Sequence, residues 1–452
     1  MKIAIIGAGK IGSSIAAELS GENHDIVLID PDREVVERLT NELDVLGVCG
    51  NGMIEADQRE AGIPRSDIVL AVTRSDETNI VCCLIAKALG AAHTVARVRD
   101  PELSVQSRFM RDKLGIDLLV NPEAEAAAEI ARHLRYPNAE HVDCFGRGKA
   151  DLVAVRIPVK SPVAGVPLRD FGKALKLKVL ACAIERAGEV VIPDGGTTLT
   201  AGDVVYFTGT YQSIDALFRR LGLTSAPVRS MLVVGGGRIT HYLARTLIDS
   251  GMRVKIVERD RDKCERLAEA LPKATVICGD GADKKLLVEE GIDLVNSFVS
   301  LTGNDEFNII LSLYAKTHGV EKVVTKVNSE SFTELLGTLD LGTIISPRAV
   351  TGEQTAKFAR SVQVPEGGSG ISALYKIIGD KAEAVEFRVD DNEKFAGRNL
   401  RDITLKPGVI LACVTRGKEI FIPDGDSTVE EGDLVVVISA AHKFTRLDEI
   451  LA

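Results

Sequence analysis

Short apolar runs alternate along this chain with stretches whose apolar residues recur every three or four positions, the pattern of strands alternating with amphipathic helices. Residues 3–6 read as a first strand and 13–19 as the helix after it. Residues 26–29 form a second strand ending in Asp30, 32–43 a helix, and 45–49 a third strand. A turn at 50–52 and a short helix over 55–61 lead to a fourth strand over 67–72. Thr73-Arg74-Ser75-Asp76 reads as the cap of a helix running to Leu89. Strands over 94–98 and 118–121, with a helix over 106–114 between them, complete the series, and 122–134 is a strong helix former. This alternation predicts a parallel sheet with right-handed crossovers.

Near His141 the rhythm changes. Strand-like runs over 152–157, 179–185, 189–192 and 203–208 are broken by Pro158, Pro162, Pro167 and Pro193. With one helix expected over 170–175, this stretch reads as a small β-rich module, and 223–230 as a linker. From residue 231 the chain starts again: MLVVGGGRIT repeats IAIIGAGKIG, VKIVERD repeats IVLIDPD, and VVTKV repeats TVARV. VPEGGSG (364–370) breaks the pattern, and IPDGDSTVEEGDLVVV (422–437) then repeats IPDGGTTLTAGDVVYF (192–207). The offset stays near 229 residues from end to end. A tandem duplication of this size predicts an assembly built from similar faces.

The first strand-to-helix turn carries the candidate chemistry. Gly7, Gly9 and Gly12 stand at G-x-G-x-x-G spacing, the pattern that makes a tight turn, lets backbone N–H groups approach a pyrophosphate, and allows close helix–strand packing. Gly7, Ala8, Gly9, Lys10, Ile11 and Gly12 are therefore the candidate phosphate contacts. Asp30 stands where an acid takes ribose hydroxyls, which favours NAD or an adenosine nucleotide over NADP. Asn51 falls near an expected adenine edge and Thr73 at the carboxyl edge of the fourth strand, while Arg97 either reaches a phosphate or faces solvent. In the second copy Gly235, Gly236 and Gly237 keep the turn, Arg238 is a candidate phosphate partner, and Glu258 keeps the acid. Thr240 replaces the third glycine, and a β-branched residue there is expected to crowd the packing. The second copy thus reads either as a nucleotide site or as a structural repeat. The fold class is α/β: two Rossmann-like doubly wound parallel-sheet domains (1–134 and 229–360), each followed by a small α+β domain (135–222 and 368–452).

Composition narrows the function. A net charge of −10, 4% aromatics and no Trp argue against nucleic acid as the main partner. No apolar run approaches the roughly 18 residues that span a bilayer, and the N-terminal run is too short and glycine-broken for a signal peptide. Any membrane role is expected to come through a partner. The eight cysteines show no C-x-x-C and read as buried or free thiols of a cytosolic protein, not as metal ligands. Most of the seven histidines read as surface or loop residues, His93 as an end-of-helix charge, and Asp76-Glu77 and Asp305-Glu306 as helix caps. G-x-S-x-G, H-E-x-x-H and the P-loop motif are missing from the sequence, and no catalytic residue is assigned.

IAIIGAGKIGSSIAAEL with IVLIDPD, AVTRSDETNIVCCLIAKALG, ARVRDPE and the two IPDG…GD hairpins together resemble the tandem RCK (regulator of potassium conductance) family of Trk-system potassium uptake proteins. The resemblance covers essentially the whole chain. It implies a nucleotide-gated, non-enzymatic regulatory subunit, cytoplasmic and peripheral on the inner face of the cell membrane. The implied partner is a membrane potassium-translocating subunit of the TrkH/TrkG type, and the implied assembly a homo-oligomer, a tetramer giving a ring of eight RCK units. It also implies NAD or NADH and ATP/ADP at the glycine-motif sites, and in some relatives cyclic di-AMP at the smaller domains. Carried onto this chain, the ligand positions are Gly7, Gly9, Gly12, Asp30, Asn51 and Thr73, then Gly235, Gly237, Glu258, Asp280 and Thr302. The same units serve several cation channels, so an RCK regulator of another transporter stays open, as does, more remotely, an NAD-dependent oxidoreductase.

Overall fold

Apolar runs bounded by glycine and by capping residues resolve into β1 (Lys2–Ile6), α1 (Lys10–Ser20), β2 (Asp25–Asp30), α2 (Arg33–Glu42), β3 (Leu46–Cys49), α3 (Glu55–Glu60), β4 (Ile68–Ala71), α4 (Asp76–Leu89), β5 (His93–Arg97), α5 (Pro101–Val105), α6 (Ser107–Leu114), β6 (Leu118–Val120) and α7 (Pro122–Arg135). The first small module holds β7 (His141–Phe145), β8 (Ala150–Arg156), α8 (Leu168–Leu175), β9 (Val179–Arg186), β10 (Glu189–Val191), β11 (Val204–Gly209) and α9 (Tyr211–Arg220). The second repeat gives β12 (Ser230–Val234), α10 (Arg238–Asp249), β13 (Arg253–Glu258), α11 (Arg261–Ala270), β14 (Thr275–Cys278), α12 (Lys284–Glu289), β15 (Ser297–Ser300), α13 (Asp305–Thr317), β16 (Lys322–Lys326), β17 (Thr343–Ile345) and α14 (Pro347–Val362). Then come β18 (Ile371–Ile377), β19 (Ala382–Arg388), β20 (Val409–Arg416), β21 (Glu419–Phe421) and β22 (Leu434–Ser439). The computed structural model describes residues 1–21, 24–145, 150–175, 177–223, 228–329, 339, 341–362, 371–378, 381–390, 393, 395–417, 419–440 and 444–452. The stretch 364–370, His442 and residues 224–227 of the expected linker lie outside them.

One unit comprises residues 1–134 and 227–359. Its two six-stranded parallel sheets run β3-β2-β1-β4-β5-β6 and β14-β13-β12-β15-β16-β17. The central strands are buried on both faces, as in β1, where Ile3, Ile5 and Ala4 are alike fully covered, while the edge strands β3 and β14 are partly exposed. The two repeats exchange their last helices. Ala126, Ala127, Ile130, Ala131 and Leu134 of α7 share one core cluster with Met231, Val233, Ile239 and Leu243 of the second repeat. Reciprocally, Phe358 of α14 lies edge-on to His93 of β5, ring centres 6.1 Å apart. Tyr242 of α10 fastens the junction, its hydroxyl donating to the Arg99 carbonyl at 3.1 Å and accepting from Asn121 Nδ2 at 2.9 Å. No helix among the described residues is long and apolar enough to cross a membrane.

The other unit comprises residues 135–226 and 360–452. Its two five-stranded antiparallel sheets run β10-β9-β11-β8-β7 and β18-β19-β22-β20-β21. Their facing surfaces form one core, with Phe145 and Cys182 on one side and Tyr375, Ile377 and Cys413 on the other. Not among the expected elements are β7, an edge strand with mixed polarity, and α9, whose Ile214, Leu217, Phe218 and Leu221 recur at helical spacing behind the Thr210 cap. Each sheet is pinned by an Arg–Asp pair at the end of its IPDG…GD hairpin. Arg186 donates to Asp203 at 2.8 and 2.7 Å, and Arg416 to Asp433 at 2.8 Å. Asp203 also accepts from the Thr200 N–H at 2.7 Å. Asp203→Ala is expected to destabilise this unit by about 1–3 kcal/mol, because it removes the buried acceptor of the Thr200 N–H and of the half-exposed Arg186, and a urea titration reads the loss. The hydrogen bonds from Arg186 hold the Asp203 carboxyl below the usual range, against burial. The folded chain therefore takes up this proton at lower pH than the unfolded one. The stabilisation is whole above the unfolded value, about 3.9, and disappears as pH falls through the lower folded value.

Candidate functional site

The order β3-β2-β1-β4 reverses its winding between β1 and β4, which opens a crevice at their carboxyl ends. Gly7 follows β1 at φ +101°, a left-handed conformation, and a Cβ there would stand 2.9 Å from the Thr73 nitrogen. Gly9 caps α1, and nothing lies within 4 Å of the place its Cβ would take, so the first-turn N–H groups of α1 are open to an anion. Gly12 sits behind the turn, where a Cβ would run into the Gly7 carbonyl oxygen. Asp30 ends β2, and its carboxylate accepts from the Ala8 N–H at 2.7 Å and the Asp32 N–H at 3.0 Å. The Asp30 carboxylate thus braces the glycine-rich turn. Asn51 Oδ1 accepts from the Met53 N–H at 3.0 Å in the turn after β3.

Thr73 is held by Asn79, a fully buried residue of α4. The Thr73 N–H and hydroxyl each donate to Asn79 Oδ1 at 2.7 Å, and Asn79 Nδ2 donates to the Arg97 carbonyl at 2.8 Å, joining β4, α4 and β5. The acid pairs do not cap the helices. Ser75 does so for α4, accepting from the Thr78 N–H at 3.1 Å, and Asn304 for α13, accepting from the Phe307 N–H at 2.6 Å. Asp76 instead accepts from the Arg99 and Asp100 N–H groups at 2.8 Å, and Asp305 from Asn328 and Ser329 at 2.8 and 2.9 Å. A side chain at N1 points away from the free N–H groups and toward the loop after the neighbouring strand. Burial pushes the Asp76 carboxyl up, but these backbone donors and Arg99 outweigh it and leave it below the usual range.

The first crevice is a cavity of about 850 Å³ whose wall includes Gly7, Gly9, Lys10, Ile11, Asp30, Asn51, Thr73 and Arg97. Ala8 and Gly12 lie behind this wall. Arg97 does not face solvent: its side chain is 12% exposed, with Nη2 3.7 Å from the Glu123 carboxylate. Its Nε and Glu123 Oε2 are buried without a hydrogen-bond partner among the described residues. The second repeat completes the wall with Lys326, Asn328 and Arg348. Burial holds Arg97 below the usual guanidinium range; Glu123 opposes this, while Arg99 and Arg238 add to it. Burial likewise depresses Lys326, with Asp305 and Glu123 opposing and Arg348 adding. Cations from two repeats are thus brought together with too few acids to balance them. The open turn at Gly9, the orphaned Arg97 Nε and this charge excess fit the phosphates of a nucleotide, and Asp30 fits its ribose.

The second crevice is smaller, about 360 Å³, and its wall comes from its own repeat: Gly235, Gly237, Glu258, Asp280 and Thr302, with Arg259 and Lys263 as cations. Gly235 takes φ +105°. Glu258, 8% exposed, accepts from the Gly236 N–H at 2.7 Å and the Asp260 N–H at 2.9 Å, as Asp30 does in the first copy. Thr302 repeats the Thr73 arrangement through Asn308, at 2.9 and 2.7 Å. Asp280 accepts from the Ala282 N–H at 2.9 Å. Thr240 does not prevent α10 from packing: it is fully buried, and its hydroxyl donates to the Gly235 carbonyl, turning the crowded approach into a hydrogen bond. Arg238 is absent from this wall; its charge bears on Arg97 of the first repeat instead.

The histidine expectations change. Helix α4 stops at Leu89 with Gly90 as its cap, and His93 opens β5, its Nδ1 3.6 Å from Asp117. His24 and His133 are buried. Sequence reasoning also passed over Asn79, Lys326 and Arg348. Asn79 has a visible signal, its recurrence as Asn308 in TRSDETN and TGNDEFN, and Lys326 stands at the repeat position of Arg97. Arg348 has none, because its role depends on the two repeats facing each other.

The TrkA-N domain model matches residues 3–122 and 231–347, and the TrkA-C domain model residues 152–222 and 384–452. A Trk system potassium uptake protein TrkA homolog from Archaeoglobus fulgidus is 32% identical over 451 residues, covering 100% of both chains. The Trk system potassium uptake protein TrkA of Vibrio alginolyticus is 32% identical over 98% of this chain and 97% of its own. Among solved structures, the GsuK channel superposes over 97% of this chain and 77% of its own, with a TM-score of 0.64 at 18% identity. The isolated GsuK RCK domain does so over 97% and 92%, with a TM-score of 0.62 at 18% identity. The duplicated parallel sheets, their antiparallel companions and the end-to-end match with these relatives agree, and the chain belongs to the TrkA family of Trk-system potassium uptake proteins.

Proposed function

We propose that the chain is the nucleotide-binding regulatory subunit of a Trk-type potassium uptake system, taking NAD(H) and ATP or ADP at its glycine-rich pockets to control a membrane potassium-translocating subunit of the TrkH/TrkG type. The observation that carries this reading is the half-buried cation cluster of the first pocket, drawn from both repeats. The turn from Gly7 to Ile11 and Arg97 take phosphate, Asp30 the ribose hydroxyls, and Asn51 the adenine edge. An acid at the ribose position disfavours a 2′-phosphate and hence NADP. A GsuK channel structure with bound NAD, superposing with a TM-score of 0.63, supports a dinucleotide on this fold. A phosphate that touches Arg97 and also Lys326 or Arg348 ties one repeat to the other, so it favours the arrangement in which those cations converge. That difference in affinity between two arrangements is what a gating ligand needs. The subunit acts as a tetramer, a ring of eight RCK units, at the inner face of the membrane.

Separate calorimetric titrations of the full chain with NADH, ATP and ADP test the reading. Saturable binding is expected, with ATP and ADP differing in affinity or heat and NADH absorbance unchanged in the presence of common metabolites. Two sites per chain would make the second pocket a ligand site, and one would make it structural. Substrate-dependent loss of NADH absorbance would replace the reading with an oxidoreductase.

A further inference from the structure

The rim of the second pocket has a feature that the first lacks. Cys264, in α11, is buried, and its thiol donates to the Glu258 carbonyl at 3.2 Å. Cys278 ends β14, pairs in register with Glu258, and is exposed. Both cysteines thus meet the Glu258 main chain, Cys264 through its thiol and Cys278 through strand pairing. Their chain neighbours line the pocket from two sides: Lys263 precedes one cysteine, and Gly279 and Asp280 follow the other. In the first repeat Val36 takes the place of Cys264, leaving Cys49 alone, so the fold itself does not require the pair.

We propose that Cys264 and Cys278 are a peroxide-responsive dithiol whose reversible disulfide locks the rim of the second pocket. Cys278 is the thiol an oxidant reaches, since Cys264 is covered. Burial, with the neighbouring Cys278 adding, pushes the Cys264 thiol up to about 11 and keeps it protonated at neutral pH. The Cys278 thiolate attacks one oxygen of a hydroperoxide, breaking the O–O bond and giving Cys278 sulfenic acid and, after protonation, water or an alcohol. The Cys264 sulfur then attacks the Cys278 sulfur. The S–O bond breaks, the S–S bond forms, and the Cys264 proton leaves with the hydroxyl as a second water. Two thiols have lost two electrons to the peroxide, and a dithiol reductant restores them. Among intracellular proteins such disulfides are mostly transient and sensing ones. The bond joins α11 to β14, removes the Cys264 donor from the Glu258 carbonyl, and fixes Lys263 relative to Asp280.

The test treats the full chain with a small excess of hydrogen peroxide, digests it without reduction, and maps the peptides by mass spectrometry, with hydrogen exchange followed on the intact protein. Expected are a Cys264–Cys278 linked peptide that dithiothreitol reverses, a loss of two thiols beyond any at Cys49, and at least twofold slower exchange over 279–281. Cys264→Ser is expected to leave a dimedone-trappable sulfenic acid at Cys278, and Cys278→Ser no crosslink. Cys278 passing to the sulfinic acid without a link, or a link that leaves exchange over 279–281 unchanged, would overturn the proposal. Neither readout depends on a bound nucleotide, so a failed nucleotide titration leaves this test intact.

Discussion

Gly12→Val is expected to lower stability by about 2–3 kcal/mol and to cost the first pocket at least tenfold in ADP affinity. The glycine is the point where α1 crosses the end of β1. A Cβ there would overlap the Gly7 carbonyl oxygen and approach the Val72 side chain to 3.4 Å. Backbone cannot yield locally, so α1 must lift. Its first turn carries Gly9, Lys10 and Ile11, the phosphate side of the pocket. The second repeat shows how the crowding can be relieved, since Thr240 meets the equivalent oxygen with a hydroxyl. Gly12→Thr, nearly isosteric with valine, is therefore expected to cost less than half as much stability. Thermal melts of the two variants, each paired with an ADP titration, make the comparison. Equal melting temperatures for Gly12→Val and the parent chain would contradict the packing argument.

Asp30→Ala is expected to weaken ADP at the first pocket by about ten- to a hundredfold, the worth of charge-assisted hydrogen bonds to two ribose hydroxyls. Glu258→Ala is expected to change the same titration of the full chain less, because the smaller second pocket draws no cations from the other repeat. Asp30 also braces the turn through the Ala8 and Asp32 N–H groups, so collapse of the turn could imitate loss of a ribose contact. Inorganic pyrophosphate separates the two. It has no ribose, so its affinity should survive Asp30→Ala if the carboxylate acts on sugar, and should fall with that of ADP if it acts on the turn. Unchanged ADP affinity removes the ribose assignment.

The parallel sheets were legible because their strands are uninterrupted apolar runs ending at glycine or an acid, as at Ile6-Gly7 and Ile29-Asp30. The duplication was legible because the same turn chemistry recurs at a steady offset. A short edge strand left a weaker mark: β7 lies at a sheet edge with mixed polarity, whereas the Ile214, Leu217, Phe218 and Leu221 spacing of α9 was there to be read behind its Thr210 cap. At the first crevice, Arg97 left two readings open from sequence alone, since a charged residue within a strand can face either way. Burial and Glu123 remove the solvent-facing one. Lys326 could be read as the repeat counterpart of Arg97 and Arg238 as a cation of the second turn, but that they and Arg348 bear on the first crevice was beyond reach for a different reason. They depend on which face of one repeat meets the other, and no local period encodes that.

The exchanged helices bear on how the chain is made. In a nascent chain, α7 leaves the ribosome with its Ala126, Ile130 and Leu134 face uncovered, because the core that receives it begins at Met231 and closes with Ile345. At about 5–20 residues per second, translation takes roughly ten to forty seconds to supply that core. During this interval the first repeat is an unfinished half that still lacks Phe358 against His93. The first repeat's own core, from Ala4 to Ile116, is complete without the second, so it is α7 alone that a chaperone would meet as an exposed apolar helix before the second repeat reaches it.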